Sequence, residues 1–318
     1  MSDKFNNFIN GEDFTSERIQ EILKDNNIDG KILTIQFRPF KKIFIKIENK
    51  NGKLFIIKIC LDKYSIELAQ NESDGYTNLD KIKFKSFNTP DFKLIMSNES
   101  MSISKIEFIN GSKGNFFEFN KFFNFNHKNL YNVSTVSSYI ENLKIKIFKS
   151  KNIEVPKDID NSIKKIINQK GSLKIPITSA HGDFAHYNSI KTNNKKFMYD
   201  LELYDQKKIF FYDFFHWHIM SYVYRLDKLK KLNFLIFCSP LYFYLLKKFC
   251  FYNFVKKDNN LKSLDVNLLL EIFLIEKIMY LSKELRLNNL KDLMSNDQIN
   301  FNYRIYNILK SVLKIMYN

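Results

Sequence analysis

Residues 181–188 read HGDFAHYN, and this stretch decides the expected fold. It places a glycine directly before an acid, Asp183, and a carboxamide, Asn188, five positions after that acid. A carboxylate can orient or deprotonate a hydroxyl group, and an amide oxygen can bind magnesium. We therefore interpret the turn as two groups with different chemical tasks, with His181 as a packing and hydrogen-bonding residue of the loop. A polar turn without chemistry is the alternative.

The next element along the chain supports the chemical interpretation. Asp200 lies twelve residues after Asn188, at the end of a predicted hairpin formed by Ser189–Lys191 and Lys196–Tyr199. A kinase-type site has its second metal-binding carboxylate after the catalytic loop, and here a short hairpin separates the two. Glu202 would point to the same side of an extended chain as Asp200, so it is a further candidate for binding metal or substrate.

One lysine upstream has an unusual setting. Lys58 lies in a predicted strand and is flanked by apolar residues on both sides. Fourteen residues later, Glu72 falls on the apolar face of a predicted helix, four residues after Leu68 and four before Tyr76. A carboxylate on an apolar face needs a partner, and Lys58 is the natural one. Glu67 is a less well-phased alternative to Glu72.

Hydrophobic periodicity predicts the order of the elements. The predicted strands are Ile32–Phe37, Ile43–Glu48, Leu54–Cys60, Phe92–Ser97 and Ile103–Ile109, with helices at 16–27 and 65–82. From about residue 116 the pattern becomes mainly helical, with helices predicted at 133–149, 159–169 and 213–232. We therefore predict a small α+β lobe of residues 1–112 and a larger, mainly helical lobe of residues 113–318, with the hinge at Asn110–Gly114.

Together these motifs resemble those of the aminoglycoside phosphotransferase and choline kinase superfamily, whose loop reads HGDxxxxN and is followed by a metal-binding acid. Residues 200–218, DLELYDQKKIFFYDFFHWH, more narrowly resemble a bacterial branch associated with surface polysaccharide synthesis. The similarity covers about residues 30–220. It implies a two-lobed, protein-kinase-like α+β fold with a small N-terminal antiparallel sheet plus helix and a larger, mainly helical C-terminal lobe.

The resemblance also implies an activity, that of an ATP- and magnesium-dependent phosphotransferase. Its acceptor would be a small-molecule hydroxyl group, with a sugar or a sugar-derived intermediate of a cell-surface glycan as the expected substrate. Asp183 would be the catalytic residue, and Asn188 and Asp200 would bind the metal. Lys58, braced by Glu72, would align the nucleotide phosphates in the N-terminal lobe.

Other residues would support the loop or the acceptor. By the resemblance, Asp213 would be a structural acid that holds the backbone amides of the loop, whereas an ordinary helix N-cap would serve nearly the same end. Ala185 stands where protein kinases have a lysine, which favours a small-molecule acceptor. His186 and Tyr187 mark where that acceptor should be sought, and His186 is a second candidate for contacting substrate or metal.

The turn between the first two strands departs from the family pattern. It reads QFRPFKK over residues 36–42 and has no glycine. Side chains would have to supply charge that backbone amides cannot, and the candidates are Arg38, Lys41 and Lys42. A solvated basic turn is the alternative reading. The same departure motivates a second function, that of a catalytically inactive, nucleotide-binding pseudokinase that acts as an interaction protein.

The charge of the chain has a simpler explanation than a polyanionic partner. It carries 50 lysines and arginines against 34 acids, a formal charge of +16, but almost all of the basic residues are lysines. Together with abundant Asn, Ile, Phe and Tyr, this pattern is typical of codon choice in an A+T-rich genome. A nucleic-acid binder rests on charge alone, and we expect no nucleic-acid partner.

Location and cysteine use are also predicted from composition. The N-terminus has no apolar signal core, which predicts a cytoplasmic protein. The most apolar run, 232–246, is too short to span a bilayer and contains Pro240, which predicts a buried helix pair. The three cysteines are widely spaced and form no CxxC pair, which predicts reduced core residues and no zinc site. The pair His216 and His218 is expected to pack in the core.

Overall fold

The computed structural model of the chain describes residues 16–38, 40–82, 87–113, 132–148, 155–193, 195–229, 232–253, 256, 264–287 and 297–317. The helices in these ranges are α1 Ser16–Asp25, α2 Lys63–Ile82, α3 Val136–Ile147, α4 Lys157–Lys170, α5 Tyr212–Lys228, α6 Leu232–Asn253, α7 Val266–Leu287 and α8 Asp297–Tyr317. The strands are β1 Lys31–Arg38, β2 Lys42–Glu48, β3 Leu54–Cys60, β4 Phe92–Ser97, β5 Ser102–Glu107, β6 Ser112–Lys113, β7 Asn132–Thr135, β8 Lys174–Ala180, β9 Ser189–Lys191, β10 Lys196–Met198 and β11 Asp205–Ile209.

These elements form two compact units. The first contains residues 1–122 and 181–204, and the second contains residues 123–180 and 205–318. The HGDFAHYN loop therefore groups with the N-terminal sheet, whereas the division at residue 112 placed it in the C-terminal lobe. Strand pairing explains the grouping, because β9 pairs with β6 in a three-stranded sheet of order β10-β9-β6. In addition, the backbone N–H of Asn88 donates to the carbonyl of Lys196 at 2.7 Å.

A five-stranded antiparallel sheet of order β1-β2-β3-β5-β4 forms the base of the first unit. Side chains alternate between the two faces of a strand, so the odd-numbered residues of β2 and β3 share one face. They pack with α1 in a core of Ile19, Ile22, Leu23, Ile28, Ile43, Ile45, Ile47, Phe55, Ile57, Ile59 and Ile103. Lys58 lies on the opposite face. The five strands predicted from the sequence are confirmed.

Helix α2 packs on the face of the sheet that carries Lys58. Five of its buried residues recur at the three- and four-residue spacing of one helix face: Ile66, Ala69, Glu72, Tyr76 and Leu79. The side chains of Ile66 and Ala69 pack against Cys60 at the end of β3. The only charged group among these buried residues is therefore held directly over the strand that contains Lys58.

The second unit contains the sheet of order β11-β8-β7 and helices α3 to α8. A buried ion pair lies in its core, where the ammonium of Lys208 on β11 donates to the carboxylate of Glu276 on α7. The hydroxyl of Tyr139 on α3 donates to the same carboxylate at 2.6 Å. The Lys208 ammonium lies 4.6 Å from the ring centres of Tyr212 and Tyr280. This cluster joins four elements, β11, α3, α5 and α7, and the sequence analysis did not foresee it.

Two predictions about the second unit were wrong in detail. The helix predicted at 133–149 begins only at Val136, because residues 132–135 form β7 and pair with β8. Thr135 ends the strand and caps the helix, since its hydroxyl accepts from the backbone N–H of Ser138 at 3.2 Å. The helix pair expected around Pro240 is a single helix, α6. Pro240 is exposed, and on the water side of a helix the carbonyl freed by a proline can tilt toward solvent.

Within the described ranges, no helix is both long enough and apolar enough to cross a bilayer.

Candidate active site

The ion pair predicted between the third strand and the following helix is present. The ammonium of Lys58 lies 2.6 Å from Oε2 of Glu72, and both side chains are buried. Burial alone would lower the pKa of Lys58, but the carboxylates of Glu202 and Glu72 outweigh it and raise that pKa well above its ordinary value. Lys58 is therefore held as a cation. Oε1 of Glu72 is buried without a hydrogen-bond partner, so the carboxylate has capacity for one further donor.

A second carboxylate, that of Glu202, connects Lys58 to the turn between β1 and β2. Oε1 of Glu202 accepts from Lys58 at 2.7 Å, and Oε2 accepts from Lys42 at 2.5 Å. Burial would raise the pKa of Glu202, but the two ammonium groups overcome this effect and lower it to about 2. Of the three basic residues proposed for the turn, Lys42 is thus the one placed beside Lys58. Arg38 is exposed and donates to Gln36 instead.

Helix α2 also fixes the backbone that carries Glu202. The amide nitrogen of Asn71 donates to the carbonyls of Glu202 and Tyr204, at 2.6 and 2.9 Å. Gly75 allows this close approach, because a Cβ atom at that position would lie 2.9 Å from Cβ of Leu201. Asn71 is a site residue that the sequence analysis missed. The sequence shows a polar residue next to Glu72, but it does not show the partners of Asn71, Glu202 and Tyr204, which lie more than 130 residues further along the chain.

The HGDFAHYN loop is held by its own polar groups. Nε2 of His181 lies 2.7 Å from the carbonyl of Tyr199, and Nδ1 accepts from the backbone N–H of Asp183 at 3.3 Å. Because a carbonyl only accepts, Nε2 carries the proton and the ring is neutral. Gly182 has a φ of 85°, and a Cβ atom there would lie 2.1 Å from the carbonyl oxygen of Leu203. Only glycine fits this position.

The acid and the amide of the loop face each other. The amide nitrogen of Asn188 donates to the backbone carbonyl of Asp183 at 2.9 Å and to its Oδ2 at 3.1 Å. Both partners only accept, which fixes the orientation of the amide and leaves its oxygen for another ligand. The backbone N–H of Tyr199 donates to the carbonyl of Asn188 at 2.9 Å. The loop is thereby tied to the residue that precedes Asp200.

Asp200 is in a strained and electrostatically unfavourable position. Its φ is 61°, in the left-handed region that few residues other than glycine adopt. Burial, followed by the charge of Glu202, raises the pKa of Asp200 to about 7, and Asp183 and Glu72 contribute in the same direction. Four carboxylates therefore share a region with the two ammonium groups of Lys42 and Lys58. A divalent cation would relieve this excess of negative charge.

The raised pKa of Asp200 predicts how the stability of the metal-free protein depends on pH. The unfolded pKa of aspartate is about 3.9, so the folded protein binds the extra proton between about pH 4 and 7. The contribution of Asp200 to stability is fully present below this window and is lost as the pH rises through 7. We expect the melting temperature of Asp200→Asn, relative to the natural chain, to increase over this range and to level off above it. Differential scanning fluorimetry in chelator would show this, and a constant difference across the range would contradict it.

The oxygen atoms of Asp200 and Asn188 suit magnesium, with water and phosphate oxygens as its other ligands. Asp200 offers a carboxylate and Asn188 an amide oxygen, which are the oxygen donors that magnesium prefers. Among the described residues, no group of three or more His, Cys, Asp and Glu side chains lies close enough to hold an ion alone. This composition suits an ion that keeps waters and binds phosphate oxygens, as magnesium does in kinase sites.

The remaining predicted residues have the following positions. Asp213 is buried in the first turn of α5, where the helix dipole favours a carboxylate. His186 begins the short 3₁₀ turn His186–Asn188, and its side chain lies outside the described residues. Tyr187 beside it is exposed. His216 is buried, in agreement with core packing.

Comparisons with known proteins define the fold. No protein-family model matches the chain, and no curated protein sequence matches it. Among solved structures, the choline kinase LicA from Streptococcus pneumoniae matches with a TM-score of 0.57 and 13% identity, over 94% of this chain and 100% of that one. A thermostable mutant of the aminoglycoside phosphotransferase APH(4)-Ia matches with a TM-score of 0.51 and 6% identity, over 93% of this chain and 98% of that one.

These similarities cover nearly the whole chain, and they agree with the α+β elements described above. The protein has the two-lobed, kinase-like fold shared by choline kinase and the aminoglycoside phosphotransferases.

Proposed function

We propose that the protein transfers the γ-phosphoryl group of ATP to a hydroxyl group of a small molecule. The main observation is that Lys58, Glu72, Asp183, Asn188 and Asp200 are all brought into one compact unit. The fold supports the proposal, since its structural neighbours include a choline kinase and an aminoglycoside phosphotransferase. APH(4)-Ia has also been solved in a ternary complex with ADP and hygromycin B.

In the proposed reaction, the acceptor oxygen forms a bond to the γ-phosphorus. The bond from that phosphorus to the bridging oxygen breaks, and ADP leaves with its electron pair. Asp183 orients the hydroxyl group and accepts its proton. Proton transfer is late in a loose transition state, so most of the acceleration comes from positioning and charge neutralisation.

The other residues position charge. Lys58 is kept cationic and is braced by Glu72, so it can bind phosphate oxygens once Glu202 gives up its place. Asn188 and Asp200 would hold magnesium, which when bound neutralises charge on the phosphates. His181 and Gly182 keep the loop in the conformation in which Asp183 and Asn188 meet.

The proposed acceptor is a sugar or a sugar-derived intermediate of a cell-surface glycan. This part rests on the resemblance of residues 200–218 to a branch associated with polysaccharide synthesis. The loop supports a small acceptor in general, because Ala185 leaves room where protein kinases carry a lysine.

One observation favours the alternative, a pseudokinase that binds nucleotide without transferring phosphate. The turn between β1 and β2 lacks glycine, and Phe40 and Lys41 adopt positive φ values of 63° and 47° there. These two residues thus adopt left-handed backbone conformations, which glycine would adopt without strain. The complete set of catalytic residue types opposes this alternative.

A single set of assays tests the proposal. We expect ATP with magnesium to raise the melting temperature and to be converted to ADP in the presence of a matching acceptor from a panel of sugars, amino sugars and amino alcohols. The Asp200→Ala variant should lower the rate of ADP formation by about a hundredfold or more, because it removes a preorganised charge. Near-normal ATP consumption in this variant would contradict the proposed site. Nucleotide binding with no turnover across the panel would favour the pseudokinase.

A further inference from the structure

In the part of helix α6 whose side chains the structure describes, residues 240–250 and 252, both buried and exposed positions carry apolar residues. Toward the core of the second unit it buries Phe243, Leu246 and Cys250. On the opposite side Leu241, Tyr244, Leu245 and Tyr252 are between 52% and 63% exposed. Their spacing of three, four and eleven residues from Leu241 places them in one stripe along the helix, and Lys248, seven residues from Leu241, lies on the same side. We call these four residues the outer stripe.

An outward helix face of this kind is unusual in a protein surrounded by water. The solvent side of a surface helix normally carries charged and polar residues, and contiguous exposed apolar surface marks an interaction site. The stripe begins one residue after Pro240, so it lies in the part of α6 that follows the proline.

The sequence that contains the outer stripe is rich in lysine. Residues 228–257 contain seven lysines and no acidic residue. Two of these lysines lie against tyrosines of the stripe, because Nζ of Lys248 is 5.5 Å from the ring centre of Tyr244 and Nζ of Lys256 is 5.6 Å from that of Tyr252. The stripe therefore combines leucines, tyrosines and long basic side chains.

We propose that the outer stripe docks on the surface of a lipid bilayer that contains anionic headgroups. Leucines can enter the boundary between headgroups and acyl chains, while tyrosines prefer the interface itself. Lysines reach the headgroups with their ammonium groups while their stems stay in the apolar layer. Each lysine near an anionic surface adds to the attraction. In this arrangement α6 lies along the bilayer surface and does not cross the membrane, and none of the described helices could span it.

A second copy of the chain is a less suitable occupant. In a symmetric dimer the same patch of both copies would meet, so two lysine-rich surfaces would face each other. Like charges at the rim of a contact oppose association. An anionic lipid surface supplies the opposite charge over the whole length of the stripe. The proposal does not depend on the proposed phosphotransferase activity.

Vesicle sedimentation with the full chain tests this docking. We expect binding to vesicles of phosphatidylcholine with phosphatidylglycerol, and little binding to phosphatidylcholine alone. The Leu241→Gln/Leu245→Gln variant should bind at least about tenfold more weakly, because two apolar side chains no longer leave water. The Lys247→Glu/Lys248→Glu variant should also lose about tenfold. At about 1 M salt, where the screening length falls to about 3 Å, the natural chain should bind more weakly.

Matched variants control for surface change in general. Ile145→Gln/Leu173→Gln replaces two other exposed apolar residues, and Lys31→Glu/Lys50→Glu makes the same change in net charge on the first unit. Both should bind vesicles as the natural chain does. Equal binding to the two vesicle types, or an equal loss in the controls, would overturn the proposal. So would the absence of vesicle binding with a concentration-dependent dimer in light scattering that the leucine variant abolishes.

Discussion

The Asp183→Asn variant is expected to fold normally and to lose almost all phosphoryl transfer. Asparagine keeps the size of the side chain and an oxygen that can accept from the amide of Asn188, which lies 3.1 Å from Oδ2 of Asp183. It cannot accept the proton of an acceptor hydroxyl. General base catalysis contributes about 10²–10⁴-fold, so we expect kcat to fall by about a thousandfold.

Three measurements separate this chemical loss from damage to the structure. ADP formation should fall, while the affinity for ATP with magnesium and the melting temperature should stay close to those of the natural chain. Asp29→Asn makes the same chemical change at an exposed position and should leave all three unchanged. If Asp183→Asn keeps more than about a tenth of the rate, Asp183 does not have the role proposed here.

The largest loss of stability is expected from Lys208→Met in the second unit. The substitution removes the ammonium group beside Glu276 and leaves a fully buried carboxylate that still accepts a hydrogen bond from the hydroxyl of Tyr139. Removing one partner of a buried ion pair typically costs about 3–5 kcal/mol. For a domain of this size the melting temperature should fall by about 10 °C or more.

Two further variants show whether the loss comes from the unpaired charge. Lys207→Met changes the exposed neighbouring residue and should have little effect. Lys208→Met/Glu276→Leu removes both charges and should recover most of the lost stability, because a buried pair and a well-packed apolar pair are often of similar stability. If the double variant is less stable than Lys208→Met, the unpaired charge is not the cause.

The first unit was largely predictable because its signals are local. Strand β2 alternates between buried and half-buried residues from Ile43 onward, and β3 is apolar except for Lys58. The helix that follows them has one apolar face, so Glu72 and Lys58 could be paired from the sequence. The +5 spacing of Asp183 and Asn188 is likewise a property of one short loop. Such features need no knowledge of the distant chain.

The missed features depend on contacts between distant parts of the chain. The pairing of Lys42 with Glu202 joins residues 160 positions apart, and that of Lys208 with Glu276 joins residues 68 apart. Strand β11 reads DQKKI and has no alternating pattern, so it becomes a strand only through its pairing with β8. The exposure of α6 was missed for the same reason, since composition alone suggests burial.

Glu202 has a consequence for which anions the site can select. Each of its two carboxylate oxygens accepts a hydrogen bond from an ammonium group, one from Lys42 and one from Lys58. An incoming anion therefore has to displace the Glu202 carboxylate, which is already buried and bound to both lysines. Free inorganic phosphate would replace the Glu202 carboxylate beside the lysines. The displaced carboxylate would then lie near Asp200 with no cation to balance its charge. A polyphosphate that arrives with a divalent cation brings a new counterion for both carboxylates. Under the proposed function, Glu202 would therefore disfavour the binding of simple anions and favour nucleotides that arrive with a bound metal ion.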